Sequence, residues 1–240
     1  RYSNGNGSLK WRYNFHEKHT MELAAGYDMY RYATYDKYNP VNSYEMTFNI
    51  QQVYSKLKFK SLLGKDHTLI YGVDAIGYDL SPGSFLPYGE ESLVVADVLP
   101  KERAIEASAY LSHSWNVSER FFMDYGLRYS LFNTNGKRYH HPEIMVSGRV
   151  MITDNISFKA GFNSLSQYIH MLSNTTTMSP TDIWKLSDKD IKPQEGWQAA
   201  GGFYTNLFQN KVEVSVEGYY KQMENYLDYK SGAVLVMNRN

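Results

Sequence analysis

The chain has 240 residues, with 25 Lys plus Arg balanced by 25 Asp plus Glu, and no cysteine. Zero formal charge leaves no basic footprint for nucleic acid, and the absence of thiols excludes disulfide frameworks and thiolate metal sites. Mean hydropathy is -0.52, and no run approaches the ~18 consecutive apolar residues of a helical span.

Strict alternation opens the chain. Leu9, Trp11, Tyr13 and Phe15 are separated by Lys10, Arg12 and Asn14, and the pattern resumes after His16–His19 with Met21, Leu23, Ala25, Tyr27 and Met29. A period of two is that of a β-strand with one apolar and one polar face. This predicts a first hairpin pairing 7–15 with 20–30. A second pairs 46–63 with 68–80 across Gly64-Lys65-Asp66-His67. There Val53, Leu57 and Phe59 oppose Lys56, Lys58 and Lys60, which would be costly in a sandwich core but cheap on a watery face. A third pairs 103–115 with 121–132 across 116–120. Its second strand sets Phe121, Met123, Tyr125, Leu127, Tyr129 and Leu131 against Asp124, Gly126, Arg128 and Ser130. A fourth pairs 143–152 with 156–166 across Thr153-Asp154-Asn155. A fifth pairs 196–207 with 211–223 across Phe208-Gln209-Asn210, with Val212, Val214 and Val216 opposing Glu213, Ser215 and Glu217.

These five connections are short and polar. The other five, about 31–45, 81–102, 133–142, 167–195 and 224 onward, are expected to be long, and they hold all seven prolines: Pro40, Pro82, Pro87, Pro100, Pro142, Pro180 and Pro193. Proline is poorly tolerated within paired strands. The alternation slips at Met29-Tyr30 and between Ile50 and Val53. A β-bulge would do this; the favoured explanation is that the strand has left the membrane there. Short turns at one end and long loops at the other predict an all-β, antiparallel up-and-down transmembrane barrel in one domain, 1–240, with a wet lumen behind every second residue. The 22 Tyr and 4 Trp suit the two membrane interfaces. Arg1-Tyr2-Ser3-Asn4-Gly5 lacks the apolar core of a signal peptide, so the barrel reading expects a piece of a longer chain. Two rivals are a complete ten-stranded barrel enzyme and a soluble β-sandwich carbohydrate-binding or adhesin module.

Chemistry-bearing motifs are weak. His16-Glu17-Lys18-His19 has its histidines three apart in a turn, whereas the zinc-protease motif needs four on a helix. His140 and His141 point to opposite strand faces, so only one can join Glu143 at a metal. Ser166, His170 and Asp182 contain the residue types of a triad, but no Gly-x-Ser-x-Gly turn accompanies them. Asn116-Val117-Ser118 and Asn174-Thr175-Thr176 match sequons by accident, and Gly201-Gly202 marks close packing or a bend. No catalytic residue, metal or cofactor is expected. Loop 167–195 is long enough to be functional. Its Tyr168, His170, Asp182 and Trp184 are the candidate ligand contacts, with Trp184 packing on the wall as the alternative. Alternation assigns Asp124, Arg128, Glu213 and Glu217 to the lumen.

Several stretches resemble the TonB-dependent outer-membrane receptors. They are Glu106–Tyr110, Trp115–Arg120, Tyr125–Ser130, Phe158–Asn163 running into Gln167–His170, then Tyr219–Lys221 and Asn225–Tyr229. The most specific is Ser179-Pro180-Thr181-Asp182-Ile183-Trp184 followed by Ile191-Lys192-Pro193-Gln194. The resemblance implies a fragment of a barrel of about 22 strands with a plugged lumen. It also implies a bacterial outer-membrane location, and import of a scarce nutrient, a siderophore, glycan or similar, by binding and gating. Its partners would be outer-membrane lipid, TonB through a plug segment absent from this chain, and a candidate surface lipoprotein.

Overall fold

A computed structural model describes residues 1–134, 136–172, 183–209 and 211–227. In chain order the strands are β1 (Tyr2–His16), β2 (His19–Asp36), β3 (Tyr44–Leu63), β4 (His67–Pro87), β5 (Asp97–Val98), β6 (Glu102–Ser118) and β7 (Phe121–Thr134). They continue as β8 (Lys137–Met151), β9 (Ile156–Gln167), β10 (Ile169–Leu172), β11 (Ile183–Leu186), β12 (Gln194–Leu207) and β13 (Val212–Glu224). A 3-10 turn, Pro40–Asn42, lies between β2 and β3. Ten long strands pair antiparallel in the order β1-β2-β3-β4-β6-β7-β8-β9-β12-β13, while β5 hangs on β4 and β10 with β11 form a separate hairpin. All five expected hairpins are present as neighbours in this meander.

The register carries the alternation coherently across the sheet. One transverse row reads Trp11, Leu23, Leu57, Val73, Ala109 and Tyr129. The row on the opposite face reads Arg12, Glu22, Lys58, Gly72, Tyr110, Arg128 and Glu143. Gly72 is needed there: a Cβ would lie 2.2 Å from the Leu57 carbonyl oxygen and 2.7 Å from the Tyr110 hydroxyl. The apolar face is bare. Leu9, Leu127 and Val214 are 77%, 53% and 41% exposed, so no second sheet covers them as a sandwich would require. The small apolar core lies on the polar face instead. Tyr78, Leu80, Ala104 and Phe132 are buried there beneath Tyr168 and Leu186 of the β10–β11 segment.

Three sequence expectations are corrected. The expected loop at 133–142 is mostly strand, because β7 runs to Thr134 and β8 starts at Lys137. The loops at 31–45 and 81–102 are shortened by strand, since β2 reaches Asp36, β3 begins at Tyr44 and β4 reaches Pro87. Strands continue where alternation fades, because the ladder is made of backbone and needs no apolar side chains. Prolines are accordingly not confined to loops. Pro82 falls between the pairs Asn49↔Ser81 and Thr47↔Ser84, where the register shifts, a bulge that tolerates a missing donor. Pro142 lies in β8 opposite Tyr129. The Ile144 N–H, two residues on and pointing the same way, donates to Ser164 Oγ instead of a ladder carbonyl at 2.9 Å. The edge Pro142 faces is therefore already out of register with β9. No bulge occurs at Met29-Tyr30 or between Ile50 and Val53: the β2–β3 register is unbroken from His19↔Ser61 to Asp36↔Tyr44.

The two faces give a direct test. A fluorophore on Leu127→Cys should be quenched by brominated lipid chains, whereas one on Asp124→Cys should not. Leu127→Lys should cost about 2–4 kcal/mol if the residue lies near the bilayer midplane, measured by urea unfolding in vesicles. Equal quenching at both positions would contradict the facing.

Candidate functional site

The polar face is organised around one cation. Arg128 of β7 extends between three carboxylates: Nη1 lies 3.3 Å from Asp74, Nη2 3.8 Å from Glu106 and Nε 3.7 Å from Glu143. Glu106 also accepts the Tyr78 hydroxyl at 3.0 Å, and Glu143 accepts the Ser166 N–H at 3.1 Å. Strand register alone brings these groups together: β4, β6, β7 and β8 each contribute a residue from the same face.

Above this floor the β10–β11 hairpin lies as a strap. At its root Tyr168 stacks face to face on Phe132, with ring centroids 4.5 Å apart. The Tyr168 hydroxyl meets His141 Nδ1 at 2.9 Å, and His141 Nε2 meets Glu195 at 3.0 Å. On the return strand Glu102 receives the Lys185 ammonium and, at 2.9 Å, the Leu186 N–H. Lys185 also pairs with Asp188 at 2.9 Å, and the Tyr139 hydroxyl donates to the Asp188 carbonyl at 2.6 Å. Asp188 starts the exit turn by accepting the N–H groups of Asp190 and Ile191, both at 2.8 Å, the usual way an aspartate closes a turn on its own backbone.

The electrostatics of the strap follow from these contacts. Burial pushes the His170 imidazole below its ordinary value, with nearby Asp188 opposing. His170 is 4% exposed and shares a hydrogen bond of 2.9 Å with Ser187. Burial alone would raise Asp188, but the Lys185 ammonium and the two turn N–H donors outweigh it and hold the carboxyl low. For Lys185 burial acts downward, and the carboxylates of Glu102 and Asp188 reverse it, so the ammonium is held.

The structure sorts the candidate residues. Tyr168, at 3% exposure, and His170 are buried fastenings of the strap. Trp184 packs half-buried against the core that the strap covers. Asp182 lies outside the described residues. Asp124, Arg128, Glu213 and Glu217 share the polar face, since Asp124 pairs with Ser147, Gly202 with Glu217 and Asn206 with Glu213 along one parity. Of Ser166, His170 and Asp182, the Ser166 backbone N–H goes to Glu143 and the His170 ring to Ser187, while Asp182 lies outside the described residues. His140 and His141 do diverge, toward Tyr129 on one face and Tyr168 on the other. Sequence reasoning missed Glu102, Lys185 and Asp188. The string Ser187-Asp188-Lys189-Asp190 could have signalled the turn, but nothing local links Glu102 to a lysine 83 positions away.

Beyond the strap, the 37–43 and 88–96 loops form a knob. Tyr88 donates to Ser43 at 3.0 Å and Leu93 to Val41 at 2.8 Å. Lys37 caps the Tyr88 ring at 4.2 Å. Tyr38, Leu93 and Val95 protrude from it, 99%, 78% and 83% exposed.

A family model described as "TonB dependent receptor-like, beta-barrel" matches residues 1–238. No curated protein matches the sequence. Among solved structures, the copper transporter OprC superposes with a TM-score of 0.69 at 15% identity, covering 91% of this chain and 39% of its own. The ferric yersiniabactin uptake receptor FyuA from Yersinia pestis gives 0.63 at 12% identity, covering 92% and 36%. The RagAB peptide transporter gives 0.58 at 14% identity, covering 92% and 30%. This chain therefore spans about two-fifths or less of the length of these relatives in fold.

Acid should loosen the strap before it affects the sheet. A folded imidazole that resists protonation contributes its full stability above the ordinary histidine value of about 6.5 and loses it as pH falls below that. Asp188, also depressed, adds a second loss only below the carboxylate range. Protection factors at 169–171 and 184–187, each referred to the intrinsic exchange rate at its pH, should fall between pH 7 and 5 while those of β12 hold, and His170→Gln should abolish that fall. Protection factors that stay constant at the strap across this range would contradict the assignment.

Proposed function

The chain belongs to the TonB-dependent receptor family, within its β-barrel domain, and on that premise we propose that it forms part of an outer-membrane receptor that captures and imports a scarce nutrient. The observation that carries this is the division of the sheet: an apolar face left bare across ten adjacent strands, and a charged face on which a chain segment is folded. In a bilayer the first would meet hydrocarbon and the second an aqueous lumen lined by Asp124, Arg128, Glu213 and Glu217.

The work is binding and gating, with no covalent step. A ligand would arrive at the long-loop end and displace water above the strap. Trp184, half-buried at the strap's edge, supplies the contact surface there, while Tyr168 and His170 set its position. Copper, ferric yersiniabactin and peptide are named for the structural relatives. A siderophore, glycan or comparable solute is the class proposed for this receptor. TonB would act through a plug segment that this sequence does not contain. A surface lipoprotein is the partner that best suits the protruding Tyr38, Leu93 and Val95, since exposed apolar groups clustered on a loop knob mark an interaction surface.

The complete receptor should fractionate with the outer membrane and migrate as a heat-modifiable band. Accumulation of its ligand should fall to background in cells lacking TonB. Recovery in the soluble fraction, or uptake indifferent to TonB, would overturn the proposal.

A further inference from the structure

We infer that the outer, bilayer-facing side of the wall carries a site for the phosphodiester of a membrane phospholipid at its short-turn end, with His67 Nε2 as the donor and His113 and Tyr125 aligned behind it. The register puts these groups on the bare apolar face. Tyr125 is two residues before Leu127 and pairs with His113, His113 pairs with Leu69, and His67 is two residues before Leu69. Further chain of the receptor does not reach this face. The remainder of a barrel joins at β1 and β13, whereas β4, β6 and β7 lie in the middle of the strand order. A plug would fill the lumen, on the opposite side.

Two adjacent transverse rows on this face mark where the apolar band stops. One reads Met21, Phe59, Tyr71, Leu111, Leu127 and Ile144. The next toward the short turns reads His19, Ser61, Leu69, His113, Tyr125 and Val146. An imidazole or a serine hydroxyl is expensive in hydrocarbon, so this row stands where acyl chains give way to headgroups. His67 is one row further out, opposite Trp115, and opens β4 directly after the 64–66 turn. His19 closes on Ser61 at 3.0 Å. The His67 group is instead a chain with an open end.

The Tyr125 hydroxyl lies 2.7 Å from His113 Nδ1, and His113 Nε2 lies 3.1 Å from His67 Nδ1. With both rings neutral, three protons serve two links, so one is always left over at an end. A chain directed inward leaves it on the Tyr125 hydroxyl, the deeper end, where an unused donor is costlier. A chain directed outward leaves it on His67 Nε2. An anion beyond His67 selects the outward direction, in which every donor points toward it and each bond polarises the next. Hydrogen bonds to an ionised acceptor are the stronger ones, so a phosphodiester gains more here than a neutral ester. The rings supply a flat platform beside it: His67 stacks on His113 at 5.2 Å and on Trp115 at 5.5 Å between centroids. A phospholipid meets both, with its phosphate at the headgroup level and its chains along the apolar rows. The site rests on the facing of the wall, which labels at Leu127 and Asp124 test separately, and it is independent of nutrient import.

Dioleoyl phosphatidylglycerol is the probe, titrated into the delipidated complete receptor in maltoside detergent and counted by native mass spectrometry. Dioleoylglycerol, which lacks the phosphate, and inorganic phosphate, which lacks the chains, are the controls. His67→Phe should weaken the tightest-held phosphatidylglycerol about tenfold, as loss of a hydrogen bond to an ion would. Tyr125→Phe removes only the hydroxyl at the far end of the chain and should weaken it about twofold, through polarisation alone. Both variants keep an aromatic ring on the lipid face and should still migrate as the heat-modifiable folded barrel. Retention indifferent to either variant, dioleoylglycerol held equally well, or displacement of the lipid by inorganic phosphate would overturn the proposal. So would a receptor dimer that covers this face without lipid and dissociates in His67→Phe.

Discussion

The antiparallel backbone ladder is the constraint on which the rest of the molecule depends. In a medium without water, every N–H and C=O must find its partner within the protein. A sheet achieves this for each strand except those at its margins. The ladder forces a period of two, and the period gives each strand two faces that can be written independently. Trp11, Leu23, Leu57, Val73 and Tyr129 can therefore form a continuous apolar row, while Arg12, Glu22, Lys58, Tyr110 and Arg128 form a charged one behind it. Neither row has to compromise for the other.

That independence explains why the core is small and lies where it does. A soluble protein of this size would bury its apolar residues against one another. Here the main buried cluster is a handful of groups under the strap, on the polar face, with Ala33, Met46 and Phe48 buried apart from it. Phe132 and Leu80 are each 1% exposed; along the same face Phe132 lies between Ser130 and Thr134, and Leu80 between Tyr78 and Pro82. The strap is held by a mixture of stacking, at Phe132 and Tyr168, and of charge, at Glu102, Lys185 and Asp188. Such fastenings are a few localised contacts rather than a continuous hydrophobic core.

The wall was legible in the amino-acid pattern because two solvents select its residues oppositely. Leu127 and Arg128 are adjacent in sequence and face different media. Where only one solvent acts, the pattern disappears but the strand does not. The upper parts of β2, β4 and β8 are ladder without alternation, so 133–142 read as loop from Pro142 and its polar neighbours. The strap was invisible for a different reason. β10 and β11 are four residues each, too short for periodicity, and their positions are set by contacts with strands far away in the chain. Tyr168 and His170 are buried in the strap, where an aromatic ring and an imidazole are as useful for filling and tying as for recognition.

The missing donor at Pro142 has a mechanical corollary. β8 is fifteen residues long, yet it joins β9 only from Met145↔Asn163 to Met151↔Ser157. Above that point two side-chain tethers, Ser164 to Ile144 and Glu143 to Ser166, bridge the parted edges. The wall thus has a seam, and the upper β7–β8 hairpin is a tongue stitched on one side and loose on the other. Tyr139 and His141, which grip the strap, ride on that tongue. The clasp is mounted on a panel parted from β9 along its upper edge, so a tilt of that panel would undo several fastenings together.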